Sequence, residues 1–164
     1  MELNTKATAR LIAFFLSTFF TLQLWAADPD IFATKKGAIR GVDPVAYFDL
    51  EPGEKAVRGL DEFTYQHQGA LWKFASAENR DAFAANPEKY TPQYGGYCAF
   101  AVSHGFTKPI NVDAWKIVDG KLYLNLSKRV KRKWEKDQTA AITRADNNWP
   151  TALQACEAHN NCRS

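Results

Sequence analysis

Asp119-Gly120 stands between Ala114-Trp-Lys-Ile-Val118 and Lys121-Leu-Tyr-Leu124, two short runs rich in apolar and aromatic residues. A two-residue type I′ turn needs positive φ at both central positions, and Asp-Gly is one of the few pairs that accept it, so this stretch predicts a tight β-hairpin. Phe63-Thr-Tyr-Gln66 and Leu71-Trp-Lys-Phe74 alternate in the same way around His67-Gln68-Gly69 and predict a second hairpin. Each runs on into a helix signal. Ser76 is an N-cap residue with Glu78 in the first turn, Ala77, Phe83 and Ala84 supply apolar positions, and Pro87 limits that helix. Ser127 caps a longer helix predicted through about Ala145, with Val130, Trp134, Ala141, Ile142 and Ala145 as its apolar stripe. The fold class read from this order is α+β, a small single domain of two β-hairpins each followed by a helix.

Residues 1–26 have the layout of a secretory signal peptide. Lys6 and Arg10 precede an almost unbroken apolar run from Leu11 to Leu24, and Leu24-Trp25-Ala26 ends on a small residue. The run is short for a membrane span. Residues 27–40 show no period and read as an extended N-terminal arm; 41–149 read as the domain and 150–164 as a polar tail. Of the 21 lysines and arginines and 18 acids, the leader holds Lys6, Arg10 and Glu2, so its removal takes the net charge from +3 to +2. That near-neutral balance disfavours a general nucleic-acid role.

A leader implies an oxidising compartment, periplasmic or extracellular, where cysteine pairing comes before cysteine reactivity. Cys156 and Cys162 enclose Glu-Ala-His-Asn-Asn in the tail and are expected to form a disulfide, a metal clip using His159 being the alternative. Cys98 is then the odd thiol. It lies in Tyr94-Gly-Gly-Tyr-Cys-Ala-Phe-Ala-Val102, six residues before His104, and Tyr97–Val102 is too short to choose between helix and strand by period, with helix preferred. Cys98 and His104, joined by His67 from the first hairpin turn, are the candidate soft ligands for copper(I) or zinc, although a closed zinc site needs four. A buried, inert thiol and an ordinary surface histidine are the alternatives.

Other chemistry is poorly represented. There is no Cys-x-x-Cys pair, no Gly-x-Ser-x-Gly elbow, no phosphate-cradling glycine loop and no His-Glu-x-x-His pair, and Asp61-Glu62 reads as solvated charge. The expectation is therefore not an enzyme. Tyr94, Tyr97 and Phe100 are candidate pocket-lining residues, with core packing as the alternative. Lys128-Arg-Val-Lys-Arg-Lys133 and Lys136 read first as a solvated helix face and second as a surface for anionic lipid or an acidic partner.

The order of motifs resembles the YHS domain, in particular its exported bacterial form. The matching pieces are Gly41-Val-Asp-Pro-Val-Ala-Tyr-Phe48, Leu71-Trp-Lys-Phe-Ala-Ser76, Asn79-Arg-Asp-Ala-Phe83, Asn86-Pro-Glu-Lys-Tyr90, Tyr94-Gly-Gly-Tyr-Cys-Ala99 and Asp119-Gly-Lys-Leu-Tyr-Leu-Asn125, across Gly41 to Trp149. The resemblance implies a binding module associated with heavy-metal handling, with a metal ion or a protein as its partner. The chain departs from the cysteine-rich members: Ala46 follows Asp-Pro-Val where they have cysteine, and Ala75 and Arg80 occupy the other cysteine-bearing region. Their ligand set is not carried over, which leaves Cys98 as the motif cysteine. A non-catalytic interaction domain without metal and a thiol-based redox enzyme are the rival functions.

Overall fold

The computed structural model describes residues 30–154, and over these the chain is an α+β domain with three two-stranded antiparallel sheets and five α-helices. In chain order they are β1 (Ala33–Thr34), β2 (Gly37–Ala38), β3 (Leu60–His67), β4 (Ala70–Phe74), α1 (Ala77–Ala85), α2 (Pro87–Tyr90), α3 (Ala99–Val102), β5 (Asn111–Val118), β6 (Lys121–Asn125), α4 (Lys128–Glu135) and α5 (Gln138–Asn148). None of the described helices is long and apolar enough to cross a membrane. Residues 1–26, read from sequence as a signal peptide, and Cys156, His159 and Cys162 lie outside the described residues.

Both expected hairpins form. Val118 pairs with Lys121 around Asp119 (φ +50°) and Gly120 (φ +71°), the positive pair that a type I′ turn requires. In the first hairpin His67 pairs with Ala70, so the turn is Gln68-Gly69 and His67 is the last residue of β3. Ser76 Oγ accepts from the Asn79 amide at 3.2 Å and Ser127 Oγ from the Val130 amide at 3.2 Å, the two N-caps expected from sequence. Residues Ala99–Val102 are helical.

Three boundaries differ. The helix expected to run from Ser127 to Ala145 is two, broken at Asp137 (φ −139°, ψ 43°). The two halves bury different surfaces: Trp134 anchors α4 against Tyr123, ring centroids 5.3 Å apart, whereas α5 packs its buried Ala141 and Ala145 towards α3. A straight helix could not satisfy both. The stretch read as an extended arm is part of the domain. It folds back as β1 and β2, buries Ile31, Phe32, Ala38 and Ile39, and ties to the 90s loop through the Phe32 amide and Gly95 O at 2.8 Å. The packed chain also continues past residue 149, since Ala152 and Leu153 are buried in the same core.

Phe83 of α1 centres the packing of the first hairpin, with Trp72 at 5.0 Å, Phe74 at 5.2 Å, His67 at 5.7 Å and Tyr65 at 6.1 Å between ring centroids. Asp43, fully buried, links the segment before β3 to this unit. Its Oδ1 accepts from the amides of Val45 (2.8 Å) and Ala46 (3.2 Å), and its Oδ2 from the Ala75 amide (2.8 Å) and Asn79 Nδ2 (2.7 Å). Four donors make a buried carboxylate tolerable, so Asp43 is a structural strut.

Candidate functional site

Tyr94, Gly95 and Gly96 follow one another in left-handed backbone, at φ +56°, +59° and +82°. The reason is close approach. A Cβ on Gly95 would lie 1.7 Å from Asp30 O, because the turn lies directly against the backbone of Asp30 and Ile31, ahead of β1. Tyr94 has no such exemption, and left-handed backbone at a residue with a Cβ costs about 1–2 kcal/mol. Its side chain compensates. The buried ring packs on Tyr123 and Trp149, each 6.0 Å away between centroids, and the hydroxyl sits 2.9 Å from Asp146 Oδ1 and 3.4 Å from Ile142 O. Burial first, and then the hydrogen bond to Asp146, push the phenol above the usual tyrosine range. Tyr94 is thus a neutral, oriented donor.

Tyr94 borders an open cleft of about 330 Å³ whose walls include His67, Glu88, Gln93, Asp146 and Trp149. Glu88 and Asp146 are exposed carboxylates, and among the described residues no lysine or arginine lines this cleft. Thr91, on the same wall, has a buried Oγ1 with no hydrogen-bond partner among the described residues. The elements supplying these groups are distant in sequence: the β3–β4 turn, α2 and the loop after it, and the C-terminal end of α5.

The proposed soft ligands are placed otherwise. Cys98 is 1% exposed, and its Sγ accepts from the Leu126 amide at 3.2 Å with Asn125 Oδ1 3.8 Å away. Burial pushes this thiol up, against the opposing effect of nearby backbone amides, so the thiolate that a metal or a substrate needs is disfavoured. Asn125 is itself fully buried; its Oδ1 accepts from the Phe100 amide at 3.2 Å, and its Nδ2 has no partner among the described residues. His104 is exposed, with Nδ1 2.8 Å from Phe100 O and 3.1 Å from Ser103 Oγ. His67 lies edge-on to Phe83 at the other cleft. Among the described residues no three His, Cys, Asp or Glu side chains gather to hold a metal ion, so Cys98, His104 and His67 do not make one ligand set.

Of the three aromatic residues read as pocket-lining, Tyr94 borders the cleft described above. Tyr97 is a core residue, 5.5 Å from Phe32 in an edge-to-face contact, and Phe100 packs on the His104 ring at 4.5 Å. Sequence reasoning missed Glu88, Asp146 and Trp149. Nothing in the sequence marks them, Trp149 being read only as the last residue of the domain. On the basic helix, Lys128, Arg129, Arg132, Lys133 and Lys136 are exposed while Trp134 is buried and Lys131 bonds Glu135 at 2.8 Å, which is an amphipathic surface helix.

The class these observations define is a small α+β domain carrying an open, acidic and aromatic cleft. Comparison with protein-family models, with curated proteins and with solved structures gave no match.

Proposed function

We propose that the chain is an exported, non-catalytic binding module of YHS type that takes a small organic cation in the Tyr94 cleft. The observation that carries this is composition at one place: two carboxylates, Glu88 and Asp146, and two aromatic side chains, Tyr94 and Trp149, share a cleft that among the described residues has no lysine or arginine. An ammonium group is attracted by the face of a tryptophan or tyrosine ring and by carboxylates around it. The volume, about 330 Å³, suits a small ligand rather than a protein segment. Tyr94, kept neutral and bound to Asp146, supports positioning rather than reaction. The motif order from Asp43-Pro44 to Tyr94-Gly-Gly-Tyr-Cys98 supports YHS kinship, and the leader-like residues 1–26 support export.

Titration with tetramethylammonium and methylammonium, followed by the backbone amide resonances of Gln68, Gln93 and Tyr94 on the cleft wall, tests the proposal. Saturable shifts in the wild type that weaken in Asp146→Asn and vanish in Trp149→Ala are expected. Absence of saturation with both probes, or undiminished binding in both variants, would overturn it. Copper(I) or zinc handling through Cys98 would require the thiol to give up the Leu126 amide and open the core; copper(I) binding by competition titration that Cys98→Ser abolishes would decide for that reading instead.

A further inference from the structure

A second cleft, of about 370 Å³, has the opposite character. Lys36, Arg40, Arg58 and Lys73 line it, against the single carboxylate of Asp61. Gly41 and Gly59 line it too, with the Gly59 amide donating to Gly41 O at 3.1 Å. Asp61 neutralises little: it is bonded to Lys73 but is 90% exposed, where an ion pair contributes weakly. Lys36, Arg40 and Arg58 have no carboxylate within ion-pair reach among the described residues.

The two arginines are held in place by groups that leave their charge unspent. Arg40 donates through Nε to Ile110 O at 3.0 Å, and its guanidinium lies 5.6 Å over the Phe32 ring. Arg58 donates through one Nη1 to Arg40 O at 3.0 Å. Backbone strain is concentrated here too. Ile39 (φ +41°) and Arg40 (φ +64°) are left-handed, an uncommon conformation for any side chain and an outlier for a β-branched one. Strain of this kind persists where surrounding structure enforces it and clusters at binding sites.

We propose that this cleft is a binding site for a phosphate-type oxyanion, with Arg40 and Arg58 as its planar, fork-shaped ligands and Lys36 as a mobile third cation. The site is independent of the Tyr94 cleft. Its oxyanion is the phosphate of a free solute or of a lipid headgroup, and the two sources separate by experiment. The protein is titrated with inorganic phosphate at constant ionic strength while backbone amide resonances are followed. Saturable shifts centred on Arg40, Gly41, Arg58 and Gly59 are expected, and Arg58→Gln should weaken binding by about tenfold or more. Lys133→Gln on α4 should leave it unchanged. Arg58 is exposed, so the variant should fold; a thermal melt checks this, and Lys36→Gln replaces it if it does not. Sedimentation with phosphatidylglycerol vesicles, and with phosphatidylcholine vesicles as control, forms the second arm. Binding to the anionic vesicles that Arg58→Gln removes assigns a lipid headgroup, and phosphate shifts without vesicle binding assign a solute. The proposal falls if neither phosphate nor anionic vesicles bind in an Arg58-dependent way, or if the shifts spread along α4 and survive in Arg58→Gln.

Discussion

Tyr94 and Cys98 belong to one five-residue motif, yet Tyr94 borders an open cleft and Cys98 is enclosed in the core. The difference lies in what each end of the motif meets. After Pro92 the chain turns through three left-handed residues over Asp30 and Ile31, which leaves the Tyr94 hydroxyl directed at Asp146. Four residues on, Cys98 pairs as an isolated parallel bridge with Leu124, its amide donating to Lys108 O at 3.1 Å, so its sulfur is enclosed beside β6. A motif that concentrates aromatic, thiol and glycine residues therefore says that something is built there, without saying which side chain faces solvent.

The sharpest way to break this comparison is at the hinge between its ends. Gly95→Ala should cost about 4 kcal/mol or more, the tail of the range for single substitutions, because the new Cβ would collide with Asp30 O as well as sit at positive φ. Urea unfolding measures it, and an unchanged midpoint would mean that the turn does not lie against Asp30 and Ile31. Cys98→Ser should follow at about 1–3 kcal/mol, since a hydroxyl replaces a buried sulfur whose surroundings suit a weak acceptor. That variant should leave cation titration of the Tyr94 cleft unaltered.

The same thiol makes a pH prediction. Its folded pKa is raised by burial, so the neutral thiol favours the folded state: this contribution is complete below the unfolded thiol value of roughly 8.5 and is lost as pH rises towards the folded value. Replacing Cys98 by alanine, in a chain where Cys156 and Cys162 are serine, should flatten the first part of the alkaline stability loss. A loss of identical slope with and without Cys98 would place the thiol in solvent.

Gly120→Val isolates φ from collision, because nothing lies within 4 Å of a Cβ at that turn. It should cost about 1–2 kcal/mol, less than Gly95→Ala, and equal losses at the two glycines would remove close approach as the cause. Tyr94→Phe should have the smallest effect, about 1 kcal/mol, as the phenol loses its bond to Asp146 while the ring stays packed. A larger loss in thermal melting would make that bond a structural link rather than a feature of the cleft wall.

What the sequence by itself determined are the features whose causes are local. Asp119-Gly120 makes its turn because two adjacent residues accept positive φ, and Ser76 and Ser127 cap helices because each hydroxyl reaches an amide three residues on. The α+β class follows from the order of such signals. Tertiary structure decided the rest. Residues 31–39 have no period to read, since their strands are two residues long and their burial depends on Gly95 O, far along the chain. The helix break at Asp137 answers to two different surfaces, Tyr123 for Trp134 and α3 for α5. Nothing in the sequence singles out Asp146 or Glu88 until α2 and α5 bring them to one cleft, and Cys98 reads as either a ligand or a buried thiol until β6 covers it. Charge and thiol chemistry depend on desolvation, and desolvation is set by residues that the chain brings near from a distance.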